Sequence, residues 1–190
     1  VTEAETDAAL ARGALAGDAQ AQRALVERHR DALYRLARTA TGDPDEALDI
    51  VQEAFLAAFT ALGRYDPARP LRGWLATITL NKARDWARRR KVRRLLGLAL
   101  PANAASWIPD DAPLPDEVAE QRDALAATAR AIAALPASLK DVLLLRTLEG
   151  LSQAETARAL GISEKAVETR LYRARQKLGE PPRDDPAARV

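Results

Sequence analysis

Apolar positions recur every three to four residues along most of the chain, and the strict alternation that marks a half-buried strand is poorly represented. The best β-branched candidate, residues 76–80, lies inside a longer helical pattern. A short helix is predicted over 6–17, then a longer one over 19–40 that Thr41-Gly42 ends. Asp43-Pro44-Asp45-Glu46 signals a third start, with Asp43 as cap, Pro44 in the first helical position and acids set against the helix dipole. Leu48, Val51, Phe55, Ala58 and Leu62 continue that helix at helical spacing to Gly63. A loop rich in Pro and Arg, residues 64–72, leads into a fourth helix that begins near Gly73-Trp74 and runs to about Arg94.

The pattern changes there. Pro101, Pro109, Pro113 and Pro115, mixed with Asp110, Asp111 and Asp116, read as an extended linker. Helical spacing resumes near Glu117; one helix reaches Leu135, and Pro136 opens the next. Ser152 followed by Glu155 forms a capping box, with Ala154, Ala157 and Leu160 as the buried stripe behind it. Gly161 permits a left-handed turn and Ser163 caps the last helix. Val167, Leu171, Ala174 and Leu178 face inward, leaving Lys165, Glu168, Thr169, Tyr172 and Arg173 outside. This is a helix-turn-helix plan whose second helix can enter a major groove; the alternative is a hairpin that only completes a core. Residues beyond Gly179, rich in Pro and Asp, are expected to fray. The fold class is therefore all-α: a helical domain at 1–94, a flexible linker at 95–116, a second helical domain at 117–179 and a tail at 180–190.

Composition narrows the chemistry. A chain of 190 residues holds one domain or two small ones, and its two Phe, three Tyr and three Trp suit small helical units better than a thick sheet core. With no cysteine there is no disulfide, thiolate nucleophile or Cys-based zinc site. His29, the only histidine, sits in a charged stretch (ERHRD) and reads as solvated rather than as a ligand or base. No phosphate loop, metal cluster or nucleophile paired with a base is evident, so neither an enzyme nor a metal or cofactor is expected. The lack of a long apolar run or signal-peptide pattern predicts a soluble cytoplasmic protein without membrane insertion.

A formal charge of +2 does not by itself imply a nucleic-acid partner, so the placement of charge matters more. The fourth helix carries Lys82, Arg84, Arg88, Arg89, Arg90, Lys91, Arg93 and Arg94 against Asp85 alone. Cations suit the C-terminal end of a helix dipole, but that explains two or three of them; a block this size neutralises phosphates. Upstream, the loop GRYDPARPLR joins rigid Pro residues to Tyr65, beside a helix presenting Asn81. A flat wall and hydrogen-bonding groups are what an unstacked base requires. On the third helix Asp49, Gln52, Glu53 and Leu56 share one face, either an ordinary solvated surface or a dock for a basic partner. On the last helix Arg170, Arg173 and Arg175 are suited to phosphates or guanine. Glu168 would repel phosphate, yet it can accept a hydrogen bond from the amino group of cytosine.

Three segments together resemble a bacterial RNA polymerase sigma factor of the sigma-70 family, extracytoplasmic-function (ECF) group. DIVQEAF, residues 49–55, resembles the core-polymerase-binding helix. LRGWLATITLNKARDWARRR, residues 71–90, resembles the −10 element segment, and the chain from Leu135 to Leu178 resembles the −35-reading domain. The match covers nearly the whole chain apart from the linker and both tails, and three motifs in this order are highly specific.

The resemblance implies that Asp49, Gln52, Glu53 and Leu56 contact the clamp helices of the polymerase β′ subunit, with the β subunit as a further partner. It implies that Arg64, Tyr65, Arg69, Arg72 and Asn81 hold a flipped promoter base while Lys82, Arg84, Arg88 and Arg89 grip the adjoining backbone. Ser163, Lys165, Glu168, Thr169, Arg170, Tyr172, Arg173 and Arg175 would meet the −35 element. The linker would thread toward the polymerase active-site and RNA-exit region, with Asp110 and Asp111 as nucleic-acid mimics or simply as part of a soluble tether. An anti-sigma factor is implied as the regulatory partner. Two features depart from common patterns: Glu168 stands where the family often has Lys or Arg, and the −10 loop has only Tyr65 where housekeeping factors carry several aromatics. The function expected is sequence-specific transcription initiation without catalysis, two weak half-sites acting through one tether. The alternative is a stand-alone helix-turn-helix regulator, and the face around Gln52 and Glu53 discriminates the two.

Overall fold

The computed structural model describes residues 3–96 and 116–179. Over these the chain forms α1 (Glu3–Leu15), α2 (Ala19–Thr41), α3 (Pro44–Ala61), a 3-10 turn (Leu62–Arg64), α4 (Leu71–Leu95), α5 (Asp116–Ala134), α6 (Ala137–Thr147), α7 (Gln153–Leu160) and α8 (Glu164–Lys177). No strand occurs among the described residues, in keeping with the all-α expectation. Short polar side chains start the helices. Asp18 accepts hydrogen bonds from the Gln20 and Ala21 N–H groups at 2.8 and 3.3 Å. Asp43 accepts from Asp45 and Glu46, both at 3.2 Å. Each such cap is worth ~1 kcal/mol, because it satisfies backbone donors that the helix itself cannot.

The first module packs α1 to α4 around Leu25, Leu33 and Leu36 of α2, Ile50, Val51 and Phe55 of α3, and Leu71, Leu75, Leu80 and Trp86 of α4. Two expectations are corrected here. Leu48 does not belong to the buried stripe of α3, which is made by Ala47, Ile50, Val51, Ala54, Phe55 and Ala58; Leu48 is 53% exposed. His29 is not solvated. It is buried, with Nε2 at 3.2 Å from Oδ1 of Asp7, a buried carboxylate on α1, and Arg28 Nε lies 3.7 Å from the same oxygen. This polar contact, made away from water, ties α1 to α2.

In the second module Val142 and Leu143 of α6, Ala157 of α7, and Val167, Leu171 and Ala174 of α8 form the centre. The capping box is complete: the Glu155 N–H donates to Ser152 Oγ at 3.2 Å, and the Ser152 N–H donates to Glu155 Oε2 at 2.7 Å. Those hydrogen bonds hold the Glu155 carboxyl below its ordinary range. Gly161 adopts φ 64°, and Ile162 N–H returns to Ala157 O at 3.0 Å, so the chain turns sharply into α8.

The two modules lie against each other. Leu144, Leu145 and Leu151 belong to the apolar cluster of the first module. On α4, Gly73 faces Leu151 so closely that a Cβ at this position would stand 3.1 Å from Leu151 Cδ2. Lys140 Nζ donates to Ala40 O at 2.7 Å and to Ala133 O at 2.6 Å, joining the C-terminal ends of α2 and α5. The tether expected around Asp110 and Asp111, and the tail beyond 179, lie outside the described residues.

Candidate functional site

Three surfaces carry the residues singled out from the sequence. The first is the outward face of α3, where Asp49 and Gln52 are exposed and Glu53 is half-buried. Leu56 is 69% exposed, and Leu48 extends the same face two turns earlier. Two large leucines held outward by a helix whose other side is fully engaged make an apolar centre with a polar rim. Glu53 also reaches across to α4: its carboxylate lies 3.4 Å from Lys82 Nζ and 3.6 Å from Arg89 Nη2.

The second surface is the loop before α4 together with the exposed side of that helix. The loop is shaped by its own residues. Tyr65 donates its hydroxyl to Arg69 O at 2.6 Å, Asp66 Oδ1 accepts from the Ala68 N–H at 3.0 Å, and Arg69 pairs with Asp66 at 3.2 Å. The Tyr65 ring lies 5.2 Å from that of Trp74, centroid to centroid, at 45°. Burial, with the charges of Asp7 and Asp66 behind it, raises the Tyr65 pKa, so the phenol stays a proton donor. Arg64 is exposed at the loop's start. Asn81 is exposed on α4, and its side-chain oxygen accepts from Arg84; Arg88 pairs with Asp85 one turn away.

Two cations of this surface face the second module. Arg72 donates through Nε to Glu149 Oε2 at 2.7 Å and through Nη2 to Leu148 O at 3.0 Å. Arg84 Nε lies 3.2 Å from Asp141 Oδ2. Both acids are buried, and neither was singled out from the sequence. Their partners lie on a helix far away in the chain, and no local pattern marks them. Burial pushes the Asp141 carboxyl up to about 6, against the opposing pull of Arg84, Lys140 and Arg170.

The third surface is α8. Ser163 caps it by accepting from the Ala166 N–H at 3.2 Å. Lys165 and Glu168 form an ion pair at 2.9 Å on the exposed side, beside Tyr172 and Arg173. Thr169 is half-buried and donates its hydroxyl to Lys165 O at 2.8 Å. Arg170 and Arg175 are half-buried, and the charge of Arg170 acts on Asp141. The exposed row is thus Lys165, Glu168, Tyr172 and Arg173.

Among the described residues no helix is long and apolar enough to cross a membrane. Residues 25–93 match the family model of sigma-70 region 2, and residues 125–178 match that of sigma-70 region 4. The RNA polymerase sigma factor CnrH of Cupriavidus metallidurans is 40% identical, over 92% of this chain and 93% of its own. The ECF RNA polymerase sigma factor SigM of Mycobacterium tuberculosis is 34% identical, over 91% of this chain and 83% of its own. Among solved structures, CnrH in complex with the cytosolic domain of CnrY superposes with a TM-score of 0.64 at 37% identity, covering 92% of this chain and 95% of that one. The sigma factor RpoE of Bartonella quintana, solved with the anti-sigma factor NepR, shares the fold at 22% identity and a TM-score of 0.63, over 82% of this chain and 92% of that one.

Proposed function

The chain belongs to the sigma-70 family of RNA polymerase sigma factors, in the ECF group, and we propose that it docks on core polymerase through α3, holds the −10 element on α4 and reads the −35 element with α8. The observation that carries the polymerase dock is the outward pair Leu48 and Leu56 beside Asp49 and Gln52. Exposed leucines on an otherwise well-packed helix are costly in water and gain free energy only when a partner covers them. A stand-alone operator-binding regulator has no use for that face.

The −10 strand is held by the loop around Tyr65, by Asn81 and by the cations of α4. The phosphate grip gives affinity and the captured base gives selection. On α8 the same division applies: Arg173 serves the backbone, while Lys165 and Glu168 near the N-terminus are placed for base edges. The factor works in the cytoplasm, performs no chemistry of its own, and is restrained by an anti-sigma partner. That last assignment draws support from the likeness to CnrH, which was solved with the cytosolic domain of CnrY. Run-off transcription with purified core polymerase on a randomised promoter library tests the reading. Selective enrichment of paired −35 and −10 sequences is expected, and core polymerase that gains no promoter selectivity from the chain overturns it.

A further inference from the structure

The loop assigned to the promoter base is braced by α1, which precedes the segment matching sigma-70 region 2. The brace has a polar and an apolar part. Asp7 of α1 and His29 of α2 are both buried and meet at 3.2 Å, and Arg28 Nε stands 3.7 Å from the same carboxylate oxygen. A buried polar pair has few alternative partners, so it fixes the register of α1 on α2 more sharply than apolar packing alone. Further along α1, Ala11 and Ala14 join the apolar cluster that also holds Leu62 of the 3-10 turn and Leu71 at the start of α4. Those two leucines bracket the loop that carries Tyr65. Leu15 lies over the turn itself, its Cδ1 3.7 Å from where a Cβ on Gly63 would stand, although the side chain is largely exposed. Asp7 also acts on Tyr65: burial is the main cause that raises the phenol's pKa, and the Asp7 charge is the next. The same phenol donates to Arg69 O, and its ring lies against Trp74. The loop is therefore fixed by α1, by its own turn and by α4.

We propose that the Asp7–His29 pair is a positioning element for base capture, setting α1 in the register that holds the turn at Gly63 and Tyr65 in shape for a promoter base. Both residues are buried, so neither touches DNA itself. A loop already held in its binding geometry need not be ordered when the base arrives, so the gain appears in selection of the base. The grip on phosphates is a separate contribution. Its cations Lys82, Arg88 and Arg89 are anchored by Glu53 and Asp85, without α1. Loss of the brace therefore weakens base capture and spares the phosphate grip. The proposal rests on the promoter-binding reading above and adds to it the residues that keep the loop in place.

The test uses the full chain assembled with core polymerase and a fluorescent single strand carrying the −10 sequence that the randomised library selects. A copy of that strand with an abasic site at the most strongly selected position reports the phosphate grip alone. The ratio of the two affinities is then the contribution of the captured base. At a temperature where circular dichroism shows the chain folded, His29→Ala should cut that ratio about fivefold or more and change affinity for the abasic strand less than about twofold. His29→Gln, which keeps an N–H donor, should recover most of the lost ratio. Asp7→Asn should lower the titration midpoint of Tyr65, followed by NMR of labelled tyrosine and assigned with Tyr65→Phe; a midpoint that does not move overturns the link from Asp7 to the loop. An unchanged ratio in folded His29→Ala, or an equal fall on both strands, overturns the positioning role. If His29→Ala does not fold, Leu15→Ala decides, because that side chain is largely exposed and its loss leaves the core intact. A ratio lowered about twofold is then expected, and an unchanged one overturns the brace. Wild type that binds both strands equally overturns the −10 reading itself, and the positioning role with it.

Discussion

The carboxylate of Glu53 lies 3.4 Å from the ammonium of Lys82, so the helix assigned to polymerase and the helix assigned to the promoter strand share a charge. Arg89 approaches the same carboxylate at 3.6 Å. Both contacts are partly exposed, and each is worth well under 1 kcal/mol in salt. Glu53→Gln is expected to raise single-stranded DNA affinity of the free chain about two- to fivefold while weakening capture by core polymerase. Anisotropy titrations at two salt concentrations, paired with core pull-downs, check this; unchanged DNA affinity would mean the shared charge has no consequence.

Charge reversal at Glu53 would repel Lys82 and Arg89 as well as polymerase, so it is a poor probe of docking alone. Leu56→Asp and Gln52→Lys change exposed positions with no such partner role. Each should leave the helical circular dichroism and thermal midpoint near wild type while core binding falls at least tenfold. Retained core binding by both variants would remove α3 from the interface.

The Asp141 carboxyl stands at about 6 in the folded chain against an ordinary 3.8. Between those values the folded chain holds a proton that the unfolded chain releases. The resulting stabilisation is complete below pH 3.8 and is lost as pH rises through 6. Relative to Asp141→Asn, wild type should lose roughly 1 kcal/mol of stability between pH 5 and 7.5. Urea unfolding of both chains across that range measures the difference, and a gap independent of pH contradicts it.

His29→Ala removes the buried partner of Asp7 and leaves that carboxylate with only Arg28 at 3.7 Å. The expected cost is ~2–4 kcal/mol, a fall in Tm of roughly 5–12 °C for a chain of this size. His29→Gln keeps an N–H donor and should recover part of the loss. Calorimetry showing His29→Ala as stable as wild type would deny the contact any structural weight.

Lys165 and Glu168 are paired on the exposed side of α8, one turn from its cap. Glu168→Lys should change the preferred base at one −35 position by about 1–3 kcal/mol of discrimination and leave the other positions alone. Sequencing of transcripts from a randomised −35 library reads this directly; identical preferences in the two proteins would exclude Glu168 from base selection.

Much of the helical plan was legible because helix ends are written locally. Asp18, Asp43, Ser152 with Glu155, and Ser163 each satisfy backbone donors within three residues, and Gly42 and Gly161 close the preceding turns. His29 was misread from its charged neighbours, although its spacing of four from both Leu25 and Leu33 already placed it on the buried stripe. Leu48 was misread for the opposite reason: alanines at 47, 54 and 58 carry the close packing of α3, so the larger apolar residue was free to face outward. The contact between modules could not be foreseen. Arg72 and Glu149 lie 77 positions apart, and each alone has the appearance of an ordinary surface charge. On the surfaces proposed for the −10 and −35 elements the candidate residues could be picked out along the chain, but the acids that pair with two of them, Glu149 with Arg72 and Asp141 with Arg84, could not.

Leu144, Leu145 and Leu151 are encoded with the second module but complete the apolar cluster of the first. Recombination that exchanged one half of this gene for the matching half of a relative would keep α4 and α8 intact while joining two sides of the seam that were shaped apart. A larger side chain at 73, or one of different shape at 151, would have to be matched across that seam for the two halves to fit.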